Sequence, residues 1–480
     1  LKIFNLYGFF TFYGILFIVI LYKILEVPVT HDEVPTALFY SGFSFGEIMM
    51  YPDNIPNNHI LNSLLTKLFI SVYGIEQWSI RLPNLLSFIF FIAGVFRILK
   101  YTLKPESIFF LPAAILFVNP YLLDFFGLCR GYGMSTGIMT LSVSYLLSGY
   151  YSFKRDHIWL SLILAIAASY ANFTLLLYLT ANTILFMFFF LKESDFKLSK
   201  FILPLMVILT ISAAYMALII TPLQKMHSTD EFQYWTSEGF YKETFLSLVH
   251  NWKYDSSVLQ RINSSNIAVF TGIIISFNCF YSLYSLIKQR TSLKRINYLV
   301  AVSVSILLVT VLINIAQTSI LETPNLNGRT ALFLYPLFSL NLVAFISLIP
   351  ASKKMTIKIS ASLLTLFLIL NLAGRLSLNY VKEWHYDQNN LEVAGFLKDK
   401  YDGKPLSLKT SWFFNPSFTF YSETGKIPWI ELYPYDSKLD ITTNADYYYI
   451  FADDYKFLAP RFKVVYKFSH DRWLLQQKPL

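Results

Sequence analysis

The chain has 480 residues, of which 55% are hydrophobic, 18% aromatic and only 14% charged, with a mean hydropathy of +0.48. Soluble globular domains carry about 25% charged residues, so that class is excluded and a polytopic membrane protein is expected. The net charge of +9 does not indicate a nucleic-acid partner, because the Lys and Arg residues cluster in short loops between apolar runs.

A transmembrane helix needs about twenty mostly apolar residues. On that rule about eleven spans run near 4–25, 81–99, 106–123, 131–150, 157–172, 174–191, 201–221, 266–287, 297–316, 329–349 and 357–377. The first run, Phe4 to Leu25, is too long for a signal-peptide core and has no small-x-small cleavage site after it. It is therefore expected to be a retained helix. Only Asn172-Phe173 separates the fifth and sixth runs. They are kept as two spans because one long helix would break the charge alternation described next.

Basic residues mark every second loop: Arg97, Lys100 and Lys104; Lys154 and Arg155; Lys192, Lys197 and Lys200; Lys288, Arg290, Lys294 and Arg295; Lys353, Lys354 and Lys358. By the positive-inside rule these loops are cytoplasmic. The N-terminus is then cytoplasmic, and the outer face receives residues 26–80, residues 222–265 and everything after 377. The tail carries short β-type runs, Tyr447 to Phe451 and Phe462 to Tyr466, and a helical pattern at 389–401 before the turn Gly403-Lys404-Pro405. Strands at 462–468 and 472–477 flank a hairpin loop, Ser469-His470-Asp471. The expected fold class is thus a polytopic α-helical membrane domain, 1–379, followed by a small extracytoplasmic α/β domain, 380–480.

The polar residues of the outer face are the candidates for chemistry. Asp32 and Glu33 follow the first span directly. Adjacent residues on a helix point about 100° apart, so at most one of them faces a given site. Thr30-His31-Asp32-Glu33 also fits an S/T-x-x-E capping box, and capping and chemistry are compatible. Asn57-Asn58-His59 opens a segment whose Ile60, Leu61, Leu64, Leu65 and Leu68 form an apolar stripe, expected to lie along the interface. His59 has three readings: a solvated interfacial residue, a metal ligand or a proton carrier. Arg130 and Arg329 sit on the outer side, against the charge rule. Each either snorkels to lipid phosphate or clamps a substrate phosphate.

The 222–265 loop adds His227, Asp230, Glu231, Tyr234, Trp235, His250 and Trp252 without ligand spacing, and its aromatics suit an interfacial belt. Cys129 and Cys279 read as small buried thiols. Walker A, GxGxxG, HExxH and GxSxG signatures are missing, and the spans lack the charge series of a proton-driven pump.

Taken in order, these residues resemble the GT-C membrane glycosyltransferases, in particular the protein O-mannosyltransferases and the lipid A aminoarabinose transferase. The resemblance rests on Asp32-Glu33 after the first helix, the run from Asn57 to Leu65, Tyr73-Gly74 leading to Arg81-Leu82-Pro83, Arg130-Gly131-Tyr132, and Gly328-Arg329 before Tyr335-Pro336. Relatives often carry Pro or Lys near the histidine position. Here Ile60 follows His59, which weighs against a metal role for it.

The resemblance implies a transferase that takes a sugar from a polyprenyl-phosphate donor at the outer face of a bacterial cytoplasmic membrane, with inversion. Asp32 is the implied general base, and Glu33 orients the acceptor or a cation. Arg130, Arg329 and Tyr132 are implied at the donor phosphate, and Asn58 and His59 at the substrate. A divalent metal held by His59 or Glu33 stays open. The partners are then the donor, membrane lipids and a lipid, protein or glycan acceptor. Rival readings are a flippase or transporter of lipid-linked saccharides, and a surface-polysaccharide ligase or polymerase.

Overall fold

The structure, a computed structural model, describes residues 1–228, 238–254, 256–288, 295–349 and 355–479. Asp230, Glu231, Tyr234, Trp235, Arg290, Lys294, Lys353 and Lys354 lie outside the described residues. The helices used below are, in order, α1 (Lys2–Glu26), α2 (Ile60–Tyr73), α3 (Gln77–Thr102), α4 (Phe110–Leu116), α5 (Pro120–Phe126), α6 (Gly131–Ser152) and α7 (Arg155–Ala171). They continue with α8 (Leu176–Glu193), α9 (Leu198–His227), α10 (Leu246–Lys253), α11 (Ser264–Lys288), α12 (Arg295–Leu321), α13 (Leu334–Ser347) and α14 (Met355–Ala373).

Each expected span falls on helix, but among the described residues seven helices are long and apolar enough to cross a membrane. They lie in α1, α3, α8, α9, α11, α12 and α14. This makes the chain a multi-pass membrane protein, with a span count that length and apolarity alone do not bring to eleven. The expected 106–123 span is two short helices, α4 and α5. Asn119 starts α5 by accepting from Leu122 N at 2.9 Å, and Pro120 has no N–H with which to continue α4. The separation of α7 from α8 holds: Asn172 is extended and its side chain accepts from Thr174 N at 3.2 Å.

Helix α6 is the centre of the bundle and is buried along almost its whole length. Its serines pair with neighbouring helices, Ser142 Oγ donating to Ser161 O at 2.6 Å and Ser144 Oγ accepting from Arg97 Nε at 3.2 Å, and its glycines reflect close packing. A Cβ on Gly94 of α3 would lie 2.7 Å from the backbone of Thr140, and one on Gly137 would lie 2.4 Å from the Ser87 carbonyl. The two backbones touch, as small residues allow in membrane bundles.

After α14 comes a short 3-10 segment, Lys382–Asp387, then α15 (Asn390–Lys398), β1 (Leu406–Thr410), α16 (Asn415–Glu423), β2 (Ile430–Leu432), β3 (Tyr447–Phe451), β4 (Phe462–Phe468) and β5 (Arg472–Gln477). The sheet order is β2-β1-β3-β5-β4, with β1 parallel to β2 and β3, and β5 antiparallel to both its neighbours. The expected hairpin is β4–β5. One core joins this domain to the loop after α1 and the start of α3: Val29, Val34, Ala37 and Ile80 pack with Val393, Leu397, Phe414, Phe418 and Tyr449. The Tyr421 hydroxyl accepts from Val29 N at 2.8 Å and donates to Gln77 Oε1 at 2.6 Å.

Candidate active site

Helix α1 ends at Glu26, and its last carbonyls lack partners within the helix. Arg81, near the start of α3, supplies them: its Nη1 donates to Ile24 O at 3.1 Å and Val27 O at 2.7 Å, and its Nη2 to Pro28 O at 2.8 Å. The same guanidinium grips Glu33, from Nε to Oε1 at 2.8 Å and from Nη2 to Oε2 at 2.7 Å, with both side chains fully buried. Cys129 N donates to Oε1 at 2.6 Å and Thr30 N to Oε2 at 2.8 Å. Burial pushes the Glu33 carboxyl up, but Arg81 and these hydrogen bonds outweigh it and hold the group below its ordinary range. Both oxygens are occupied, so Glu33 has no face left for an acceptor or a cation. The capping box is real, and Glu33 is its anchor.

The turn that buries Glu33 points Asp32 the other way. Its Oδ2 lies 3.0 Å from Arg329 Nη1 and 3.6 Å from Arg130 Nη2, and the Trp384 indole donates to the carboxylate. The side chain is 19% exposed. Burial raises the carboxyl's pKa, and Arg130, Arg329, His31 and the Trp384 hydrogen bond together bring it below the ordinary value.

Arg130 is 1% exposed. Its Nη1 donates to Asp32 O at 2.9 Å and to the side-chain oxygen of Asn57, and its buried Nε has no partner. Tyr132 stands under this guanidinium, 5.8 Å from ring centre to Cζ. Arg329 is more open, with a side chain 33% exposed. It also faces Glu383 Oε1 at 3.7 Å and lies over the Trp384 ring at 5.2 Å.

Behind Arg329 lies a cavity of about 240 Å³, whose lining includes Tyr51, Asn58, His59, Tyr132 and Arg329. His59 packs edge-on against Tyr132 at 4.7 Å. Burial, with the charges of Arg130 and Arg329, pushes the imidazole pKa well down, so His59 is neutral near pH 7. Asn58 lines the cavity, but its amide is used by the fold: Nδ2 donates to Ile48 O at 3.1 Å and Oδ1 accepts from Ser63 Oγ at 2.7 Å. Gly131 is what lets α6 reach this point, since a Cβ there would lie 2.1 Å from Ala171 O and 2.7 Å from the His59 ring.

The candidate metal ligands do not suit a divalent cation. His59 is flanked by two guanidiniums, Glu33 is neutralised by Arg81, and no group of three or more His, Cys, Asp or Glu side chains among the described residues is arranged to hold a metal. His250 and Trp252 lie in α10, and Trp252 lines a separate apolar cavity of about 400 Å³.

The structure brings in residues that sequence reasoning missed. The Lys382–Asp387 segment enters the site from the C-terminal side: Glu383 accepts from Tyr121 OH at 2.7 Å, and Asp387 Oδ2 accepts from His31 N at 2.8 Å. Burial, with the nearby charges of Asp32 and Glu33, pushes the Asp387 carboxyl well above its ordinary value. Asp124 pairs with Lys23 and accepts from Tyr254 OH at 2.9 Å and Lys382 N at 3.0 Å, which moors this segment to α1 and α5. Two signals were present in the sequence. Arg81 is a third arginine at the outer end of a span, and Lys382-Glu383-Trp384-His385-Tyr386-Asp387 is dense in polar and aromatic residues just past the last span.

No protein-family model matches the chain, and no curated protein matches it. Solved structures similar to it include ArnT from Cupriavidus metallidurans bound to undecaprenyl phosphate, at 12% identity over 98% of each chain with a TM-score of 0.41. The apo state of that protein matches at 10% identity over 98% of this chain and 99% of that one, with a TM-score of 0.38. The apo oligosaccharyltransferase of Archaeoglobus fulgidus matches at 10% identity over 93% of this chain and 70% of that one, with a TM-score of 0.43. The site geometry, not these likenesses, carries the functional reading.

Proposed function

We propose that the protein is an integral-membrane glycosyltransferase that moves a sugar from a polyprenyl-phosphate donor to an acceptor hydroxyl or amine at the outer face of the cytoplasmic membrane. The observation that carries this reading is the convergence of Arg130 and Arg329 on the carboxylate of Asp32, beside a cavity that Arg329 helps to line. Two preorganised cations beside a carboxylate serve a reaction in which a phosphate leaves and a proton is taken.

The arrangement differs in one respect from a base standing opposite a phosphate clamp: the clamp is closed on the base. A donor phosphodiester therefore competes with Asp32 for Arg329, the more exposed arginine. When it does so, Asp32 loses one of the two arginines that depress its pKa and becomes a stronger base. The acceptor oxygen or nitrogen then bonds to the anomeric carbon as the bond from that carbon to the phosphate oxygen breaks. The acceptor proton passes to Asp32, and the electron pair leaves with the phosphate against Arg130 and Arg329. Attack from the face opposite the leaving phosphate inverts the anomeric carbon.

The test is Asp32→Asn in the purified protein, with donor binding and sugar transfer measured separately. Donor binding is expected to survive and transfer to fall by about 10²–10⁴-fold, the usual contribution of a general base. Full transfer activity would remove Asp32 from that role. A flippase of lipid-linked saccharides would keep its translocation rate in the same variant.

A further inference from the structure

The turn that carries Asp32 meets the C-terminal domain at one particular place in its sheet. Strand β1 has β2 on one side and β3 on the other, both parallel to it. The chain leaves β1 into α16, whose Phe418 and Phe420 pack on one face of the sheet with Leu408 and Tyr449. It leaves β3 into the short helix Tyr455–Leu458, which packs on the other face with Tyr448 and Ile450. The two connections diverge and open a crevice at the carboxyl ends of β1 and β3. That is the position at which α/β sheets bind their ligands. Ser411, Trp412 and Phe413 come directly off the end of β1, and the Phe413 ring reaches Phe451 at the end of β3, at 5.8 Å.

His31, the neighbour of Asp32 in the chain, docks on this crevice. Its Nδ1 donates to Phe413 O at 3.0 Å, and its ring stands edge-on to Trp412 at 5.8 Å. Tyr386 packs on Phe413 at 5.0 Å. Burial pushes the Tyr386 hydroxyl up, and the charges of Asp387, Asp32 and Arg329 reach it as well. Asp32 is thus joined to Trp412 through His31 on one side and through Tyr386 and Phe413 on the other. The Trp412 ring is stacked on Phe413 with centres 3.7 Å apart, yet it stays 37% exposed, whereas Phe414 beside it is fully buried. One face of the indole is fixed and the other is open.

We infer that Trp412 is an acceptor subsite and that the acceptor is a saccharide, one of whose rings lies on the open face of the indole; the inference rests on the function proposed above. A pyranose ring presents a flat patch of C–H groups that suits a rigid aromatic face, while its hydroxyls need polar partners at the rim. The indole N–H and the His31 ring put hydrogen-bonding atoms there. An acyl chain gains nothing from a single ring edged by such groups. An extended peptide would add to an edge strand, and the edges of this sheet are β2 and β4, not β1 and β3.

The experiment tests the full-length protein in nanodiscs against an array of short neutral, acidic and amino oligosaccharides and against Ser- and Thr-containing peptides. Binding of polyprenyl phosphate is measured alongside. At least one oligosaccharide is expected to bind. Trp412→Ala weakens it by about tenfold or more and Trp412→Phe by about threefold or less, the difference between losing and keeping a stacking face. Both variants bind polyprenyl phosphate as the wild type does, which also shows that they are folded. In the otherwise unaltered protein, the fluorine resonance of a fluorotryptophan incorporated at position 412 shifts with the same oligosaccharide.

Three results overturn the inference: no oligosaccharide binds, the bound one ignores both Trp412→Ala and the fluorine label, or a peptide and not a saccharide depends on Trp412. If polyprenyl phosphate binds in those cases, this inference alone falls. If an oligosaccharide binds at Trp412 and polyprenyl phosphate does not bind at all, the saccharide subsite stands and the proposed transferase function falls.

Discussion

Asp32 and Glu33 are neighbours with opposite tasks. Both are pulled below the ordinary carboxylate range by arginines, but Glu33 faces a closed cage and Asp32 an open one. The capping-box pattern was visible in the sequence, as was the rule that only one of two adjacent residues can face a site. The choice between them was not, because it depends on where Arg81 reaches.

The charge of Asp32 has a consequence for pH. A carboxylate with a depressed pKa is ionised above that value and loses its base function as the pH falls through it. The acid limb of kcat/KM, which reports the free enzyme, is therefore expected below about 3.9, the ordinary Asp value. Arg329→Gln removes one of the cations responsible and moves the limb upward. A limb that stays in place in this variant means that another group governs it.

Among elements, the joint of α1, the loop after it and α3 is held by one buried ion pair. Arg81 closes the carbonyl end of α1 and the Glu33 turn together, and Glu33 in turn receives the Cys129 N–H just before α6. Breaking one half of such a pair leaves a bare buried charge, whereas replacing both halves by apolar residues is often close to neutral. Arg81→Met is expected to cost about 3–5 kcal/mol and lower the Tm sharply, and adding Glu33→Met is expected to restore a large part of it. Thermal unfolding in detergent measures both. A double variant no more stable than the single one would contradict the ion-pair account. The sequence showed Arg81 at the mouth of a span, in a motif shared with the resembling family. It did not show that this arginine has a carboxylate 48 residues away as its partner.

At the scale of the whole molecule, the C-terminal domain is part of the site and not an appendage to it. Its lead-in segment contributes Glu383 and Trp384 to the Arg329–Asp32 pair, and Asp387 holds the His31 backbone. Trp384→Phe keeps an aromatic face under Arg329 and removes the indole N–H from Asp32. We expect kcat/KM to fall by about three- to tenfold, as for one lost hydrogen bond, with the Tm nearly unchanged. Unchanged kcat/KM and an unchanged acid limb would assign Trp384 to packing alone.

What the sequence determined by itself is what short-range pattern determines. Apolar runs marked the helical segments, and alternation with turn residues marked the terminal hairpin. Asp32, Arg130 and Arg329 also stood out locally, since each is a charge that its neighbourhood does not explain. Tertiary structure decided how these parts meet. It broke the 106–123 segment, made α6 the buried axis, gave Glu33 to the fold, and set Asp387 against a backbone amide 356 residues away in the chain. The reason is physical: periodicity and charge bias are properties of a few turns of chain. The partner of a buried charge is set by which distant backbones pack closely enough to exclude water.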